Sequence, residues 1–130
     1  MLNDFLTPLE ESIVNYIDGL PLSSIGKKLL INDESLDLSK IDIALIGLNE
    51  YRGSSSSNSN HFISNSFRKE FYSLYSGDWK VNLVDLGDVI NGNILSDTYY
   101  AVRYISETLI KNNVIPFFIG GSQDLTFPIY

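Results

Sequence analysis

The chain has 130 residues, with nine basic and sixteen acidic side chains, a formal charge of −7 and a sequence pI near 4.4. That balance opposes phosphate backbones and anionic lipid heads, which are bound by clustered Lys and Arg, so neither nucleic acid nor a membrane surface is expected as a partner. There is no cysteine and a single histidine, His61; within this chain that excludes disulfides, thiolate catalysis and any metal or acid–base site built on several imidazoles.

The opening residues Met1-Leu2-Asn3-Asp4-Phe5 lack the basic start and apolar run of a secretory signal, and no apolar stretch approaches the roughly 18 residues of a membrane span, so a cytoplasmic location is the expectation. Thr7-Pro8-Leu9-Glu10 reads as a hydroxyl N-cap, a proline at the first helical position and a glutamate at the third, the signature of a helix start. Phe5, Leu9, Ile13, Tyr16, Ile17 and Leu20 then mark one apolar face, and Gly19-Leu20-Pro21 stops the helix. Residues 22–39 carry Lys27-Lys28 and the acidic Asp33, Glu34 and Asp37 without a clear period, fitting a short helix or an irregular connection.

Residues 41–48, Ile-Asp-Ile-Ala-Leu-Ile-Gly-Leu, form a nearly continuous apolar run of strand length, the pattern of a strand covered on both faces. Residues 53–60, Gly-Ser-Ser-Ser-Ser-Asn-Ser-Asn, are polar and of low complexity, and are expected to form a loop. A helix follows with Ile63, Phe67, Phe71, Leu74 and Tyr75 as its apolar positions, ended by Ser76-Gly77-Asp78. The second strand lies within residues 79–90, alternating around Val81, Leu83 and Asp85 on one face and Val84 and Leu86 on the other. Asn91-Gly92-Asn93 is a turn, and Ser96-Asp97-Thr98 reads as the cap of a third helix through Ala101, Val102, Ile105, Leu109 and Ile110, ending near Lys111-Asn112-Asn113. Val114-Ile115-Pro116-Phe117-Phe118-Ile119 is the third strand, with proline at its entrance, running into Gly120-Gly121-Ser122-Gln123-Asp124-Leu125-Thr126.

Helix and strand alternate three times, which predicts an α/β fold with a parallel sheet, right-handed crossovers and helices on both faces, a three-layer α/β/α arrangement. Residues 1–40 form an N-terminal helical extension and residues 41–130 the first part of an α/β domain, the chain stopping at Tyr130 where a fourth helix is due. In such a sheet ligands gather at the carboxyl ends of the strands. Three segments therefore stand out: 49–53, 85–88 and 120–124. Gly120 and Gly121 permit a tight turn, either as a strand-to-helix connection needing positive φ or as a cradle for an anion. No Gly-x-Gly-x-x-Gly or Gly-Lys-Ser/Thr loop accompanies them. Asp85 and Asp88 flank Gly87, either accepting backbone hydrogen bonds in a turn or approaching a cation. His61, beside the polar loop, has no partner ligand near it in sequence, and the pairs Tyr99-Tyr100 and Phe117-Phe118 fit packing.

Ile43-Ala44-Leu45-Ile46-Gly47 followed by Glu50-Tyr51-Arg52-Gly53, the helix Phe67-Arg68-Lys69-Glu70-Phe71-Tyr72-Ser73-Leu74, then Asp85-Leu86-Gly87-Asp88 and Pro116 to Thr126, taken in this order, resemble the ureohydrolase family of arginase, agmatinase and formimidoylglutamase. The resemblance implies the N-terminal portion of an arginase-like fold. It also implies, for a full-length member, two manganese ions whose bridging hydroxide attacks a guanidino or amidino carbon of a small substrate. In the family's Gly-Gly-Asp-His-Ser turn the histidine binds one metal; Gln123 takes that place here, between Ser122 and Asp124. The remaining family ligands come from later strands. The chain alone is therefore expected to hold no metal and to be inactive, with no catalytic residue assigned, and a non-catalytic scaffold that has lost its metals is the alternative. Three strands cut from a wider sheet leave an open edge, so self-association through the third strand or through residues 125–130 is expected as well.

Overall fold

Two strands at the centre of the molecule are covered on both sides. In the computed structural model, which describes residues 2–33, 35–49 and 63–120, these are β3 (Ile43–Gly47) and β4 (Leu83–Val89). The sheet also contains β1 (Leu6–Thr7), β2 (Leu30–Ile31) and β5 (Ile115–Ile119), in the order β1-β4-β3-β5 with β2 on β4. β2, β3, β4 and β5 run parallel, whereas β1 is antiparallel to β4. The sheet is thus largely rather than wholly parallel.

Side chains alternate across a strand, and the two faces bury different helices. Ala44, Ile46, Val84 and Leu86 pack with Ala101, Val102, Ile105 and Leu109 of α4 (Leu95–Lys111). Leu45, Leu83 and Ile119 pack with Ile13 and Ile17 of α1 (Glu11–Asp18), Ile25 of α2 (Ile25–Lys28), Leu29 and Tyr72 of α3 (Ile63–Tyr72). Residues from the first forty positions therefore share both the sheet and the core of the later strands.

The Thr7-Pro8-Leu9-Glu10 cap does not start a helix. Leu6 and Thr7 pair with Val89 and Asp88 of β4, and α1 begins only after Glu10, whose carbonyl accepts from the Ile13 and Val14 amides. Cross-strand pairing engages the Thr7 backbone, so tertiary structure overrides a local signal. In the same way α4 starts from Ile94 rather than from Ser96-Asp97-Thr98. The Thr98 hydroxyl instead accepts from the Gly92 amide at 2.9 Å, tying down the preceding turn. The two faces expected for the second strand are found, with Val84 and Leu86 packing toward α4 and Leu83 toward α1 and α3; Leu83, Val84, Asp85, Leu86 and Gly87 are all buried, as befits a strand with helices on each face, and Val81 lies exposed before the strand begins. The loop of residues 53–60 lies outside the described residues. No helix among the described residues is long and apolar enough to cross a membrane.

Candidate functional site

The carboxyl end of β4 is built around an irregularity. Leu45 stands opposite Asp85, but Gly47 stands opposite Asp88, so Leu86 and Gly87 together face the single Ile46 of β3. An extra residue of this kind is a β-bulge, which turns the strand and resets its alternation. Gly87 has φ +89, and a Cβ there would meet the Thr7 carbonyl of β1, so the position needs glycine for backbone hand and for close approach alike. Two carboxylates three residues apart on a regular strand would point to opposite faces. The bulge lets Asp85 and Asp88 reach the same side chain.

That side chain is Arg68, from the middle of α3. Its Nε donates to Asp85 Oδ2 at 2.8 Å and its Nη2 to Asp85 Oδ1 at 3.0 Å, a bidentate pair, while Nη2 also donates to the Gly87 carbonyl at 3.0 Å. Nη1 donates to Asp88 Oδ1 at 2.7 Å and to Asn65 Oδ1 at 3.0 Å. A guanidinium has five N–H donors, and these bonds use all five. The Gly87 amide in turn donates to Asp85 Oδ1 at 2.9 Å, so the carboxylate holds the bulge from within.

Arg68 and Asp85 have no exposed side-chain surface, and Asp88 is 23% exposed. Burial alone would lower the Arg68 pKa, but Asp85 and then Asp88 outweigh it and hold the guanidinium above its ordinary value. Burial pushes the Asp85 carboxyl up, against the pull of Arg68 and of the Gly87 amide. The guanidinium is thus firmly charged, and the desolvation it imposes falls on Asp85.

The ends of the neighbouring elements close around this clamp. A Cβ on Gly47 would collide with the Asp88 carboxylate and with Ser64, so the glycine at the end of β3 makes room for Asp88. Asn49 Nδ2 donates to Ser64 Oγ at 3.1 Å, and Asn91 Nδ2 donates to the Asn49 carbonyl at 3.1 Å. Between α1 and α3, a groove of about 330 Å³ is lined by Glu10, Ser12, Ile13, Asn65, Ser66 and Lys69. Gly120, just after β5, has φ +89, which is the positive-φ turn the sequence allows for.

Of the residues singled out in the sequence, Asp85 and Asp88 come together, and the cation they approach is internal. Gly121, Gln123, Asp124 and His61 lie outside the described residues. Sequence reasoning missed Arg68 and Asn65, because it assigned the buried face of α3 to Ile63, Phe67, Phe71, Leu74 and Tyr75. The fully buried positions are Ser64, Arg68 and Tyr72, while Ile63 is exposed. The available signal was an aspartate inside the apolar run Leu83-Val84-Asp85-Leu86, since a carboxylate is costly to bury unless it is hydrogen-bonded or paired with a cation. Only three arginines exist in the chain, Arg52, Arg68 and Arg103.

No family model matches the sequence, and no curated protein matches it. Among solved structures the chain is similar to the crystal structure of formimidoylglutamase from Bacillus subtilis, with a TM-score of 0.67, 19% identity, and coverage of 82% of this chain and 35% of that one. The shared feature is the fold. The chain is built like part of an arginase-type α/β domain. It spans about a third of the length of that formimidoylglutamase. The one position to which the family resemblance gives a metal ligand in this chain, Gln123, lies outside the described residues. Asp85 and Asp88, the carboxylates at the end of β4, are both engaged by Arg68, and a fixed cation repels a second one placed beside it. Among the described residues no group of three His, Cys, Asp or Glu side chains could hold a metal ion.

Proposed function

We propose that this chain supplies the opening strands of a ureohydrolase-like hydrolase, whose full-length form cleaves a C–N bond of a small linear guanidino or amidino compound with two manganese ions, and that the chain by itself is inactive. The observation that carries this reading is the likeness to formimidoylglutamase over 82% of the chain, together with its span of only 35% of that protein. The ordered motifs from Ile43 to Thr126 point the same way. In this reading the clamp of Arg68, Asp85 and Asp88 has no part in the chemistry. It fixes α3 to the bulged end of β4, and so shapes the floor on which ligands of an α/β sheet collect. Residues 41–130 then form the first part of the catalytic domain, and residues 1–40 add two short strands and two helices to the same sheet and core.

Gln123 stands where the family has a metal-binding histidine, and a carboxamide oxygen is a weaker donor than an imidazole nitrogen. That substitution favours a second reading, a ureohydrolase fold kept as a non-catalytic scaffold. Two measurements separate these possibilities. The purified chain with excess manganese is expected to release neither urea nor formamide from arginine, agmatine or formimidoylglutamate; turnover at an ordinary enzyme rate refutes its inactivity. Metal analysis of a longer polypeptide carrying this sequence is expected to find two manganese ions per chain, and a metal-free protein that still folds would establish the scaffold instead.

A further inference from the structure

Asn91-Gly92 is the one Asn-Gly pair in the sequence. Glycine has no Cβ, so its backbone nitrogen can reach the side-chain amide carbon of a preceding asparagine with the least obstruction. The N–C bond that forms closes a five-membered succinimide. The Gly92 nitrogen gives up its proton, and the side-chain nitrogen of Asn91 departs as ammonia. Water then opens the ring at either carbonyl, leaving aspartate or isoaspartate at position 91.

The fold keeps this reactive pair and restrains both of its partners. A Cβ at position 92 would collide with the side chain and backbone of Asp97, in the first turn of α4, so packing demands the glycine. The attacking group is the Gly92 amide, which donates to Thr98 Oγ1 at 2.9 Å, and Thr98 is fully buried. That bond must break before the nitrogen can lose its proton and turn toward Asn91. Asn91 itself is exposed, but its Nδ2 donates to the Asn49 carbonyl at 3.1 Å, which anchors the segment after β4 to the segment after β3.

The placement gives the reaction a structural consequence. Deamidation replaces the Nδ2 donor by a carboxylate oxygen, which accepts only, so the tie to the Asn49 carbonyl is lost and two acceptors face each other. Isoaspartate also adds a methylene to the backbone that leads from β4 into α4. Both changes fall at the carboxyl ends of β3 and β4, where ligands of an α/β sheet collect. We propose that Asn91 is a site of spontaneous deamidation gated by the Thr98 hydroxyl, converting only when the turn between β4 and α4 opens. This rests on hydrogen bonds and packing around that turn and is independent of the hydrolase reading, so the two can fail separately.

The test incubates the full chain in mildly alkaline buffer, folded and in guanidinium chloride, beside folded Thr98→Val and Thr98→Ser. Peptide mapping then quantifies aspartate and isoaspartate at position 91. Thr98→Val keeps the shape and removes the acceptor, and is expected to deamidate about fivefold faster than the parent chain, the worth of one hydrogen bond. Thr98→Ser retains the hydroxyl and is expected to keep the parent rate, and the folded parent to react more slowly than the denatured one. Equal rates for Thr98→Val and the parent overturn the proposal, as does a parent chain that reacts as fast folded as denatured. Should Thr98→Val fail to fold, hydrogen exchange of the parent decides. The Gly92 amide is expected to be slowed, relative to the denatured chain, by about the same factor as deamidation, because both need the same opening; exchange at the denatured rate overturns the gate.

Discussion

Arg68 and Arg103 sit on helices that cover opposite faces of one sheet, and each pairs with a carboxylate, yet they belong to different regimes. Arg68 meets Asp85 at 2.8 Å with both side chains fully buried. Arg103 on α4 meets Glu107 at 3.2 Å, with the two side chains 70% and 54% exposed. Water solvates the second pair in either state, so the bond changes little on folding. The first pair has no water to fall back on, and each partner exists in the core only because the other does. The face that carries α4 is held by apolar packing, whereas the face that carries α3 is held by packing plus a charged clamp that fixes the bulge.

The sharpest break in this contrast is Arg68→Met. It leaves Asp85 buried without a cation, and we expect a loss of about 3–5 kcal/mol in chemical denaturation. Because this variant can fail to fold, the companion is the double substitution Arg68→Met with Asp85→Leu, which removes both charges and fills the space with apolar atoms. It is expected to recover most of the loss. A double variant no more stable than the single one would show that the clamp holds the bulge by geometry rather than by charge balance.

Next in size is Gly87→Ala. Left-handed backbone costs a residue with a Cβ about 1–2 kcal/mol, and the new methyl would also press on the Thr7 carbonyl. We expect a loss of about 2 kcal/mol or more, with faster amide exchange at Val89, which pairs with Leu6 of β1. If exchange at Val89 is unchanged, β1 does not depend on the bulge.

The same contrast explains what the sequence revealed. Ala101, Val102, Ile105 and Leu109 repeat at helical spacing against the apolar Ala44, Ile46, Val84 and Leu86, so the body of α4 and the core strands were legible from hydropathy, and their parallel pairing from the alternation of helix and strand. The α3 face was not, since Arg68 scores as a surface residue until its acidic partners, seventeen and twenty positions later, are placed beside it. The pairing of Thr7 with Asp88 joins residues far apart in the chain, and no local signal competes with a well-formed capping box. Asp85 and Asp88 were visible as a pair at a strand end. Their common direction was not, because it depends on a bulge that only register reveals.

Arg103→Ala marks the quiet end of the energetic scale. Its pair with Glu107 is exposed and four residues apart on a helix, so the expected loss is about 0.3–0.5 kcal/mol, shrinking further in high salt. A loss above about 1 kcal/mol would mean that the side chain packs as well as pairs, contrary to its exposure.

The smallest expected effect contrasts the surface carboxylates with Asp85. Asp33 accepts from the Ser35 hydroxyl at 2.6 Å and from its amide at 2.8 Å, and Asp37 accepts from Ser39 in the same way at 2.7 and 3.0 Å. The hydroxyls first, and the amides second, hold both carboxyls below their ordinary value, opposite to the upward push that burial gives Asp85. A carboxyl with a depressed folded pKa binds fewer protons in the native state than in the unfolded one. Its stabilisation is therefore complete above the ordinary carboxylate range and is lost as the pH falls through the depressed value. Replacing Ser35 and Ser39 together by alanine removes the larger cause, so the acid limb of the stability profile should become slightly shallower while the neutral plateau drops by a matching small amount. Both carboxylates are solvated, which keeps the change far below that of any clamp variant. An acid limb unchanged within error would place the acid sensitivity of the fold with other carboxyls than these two.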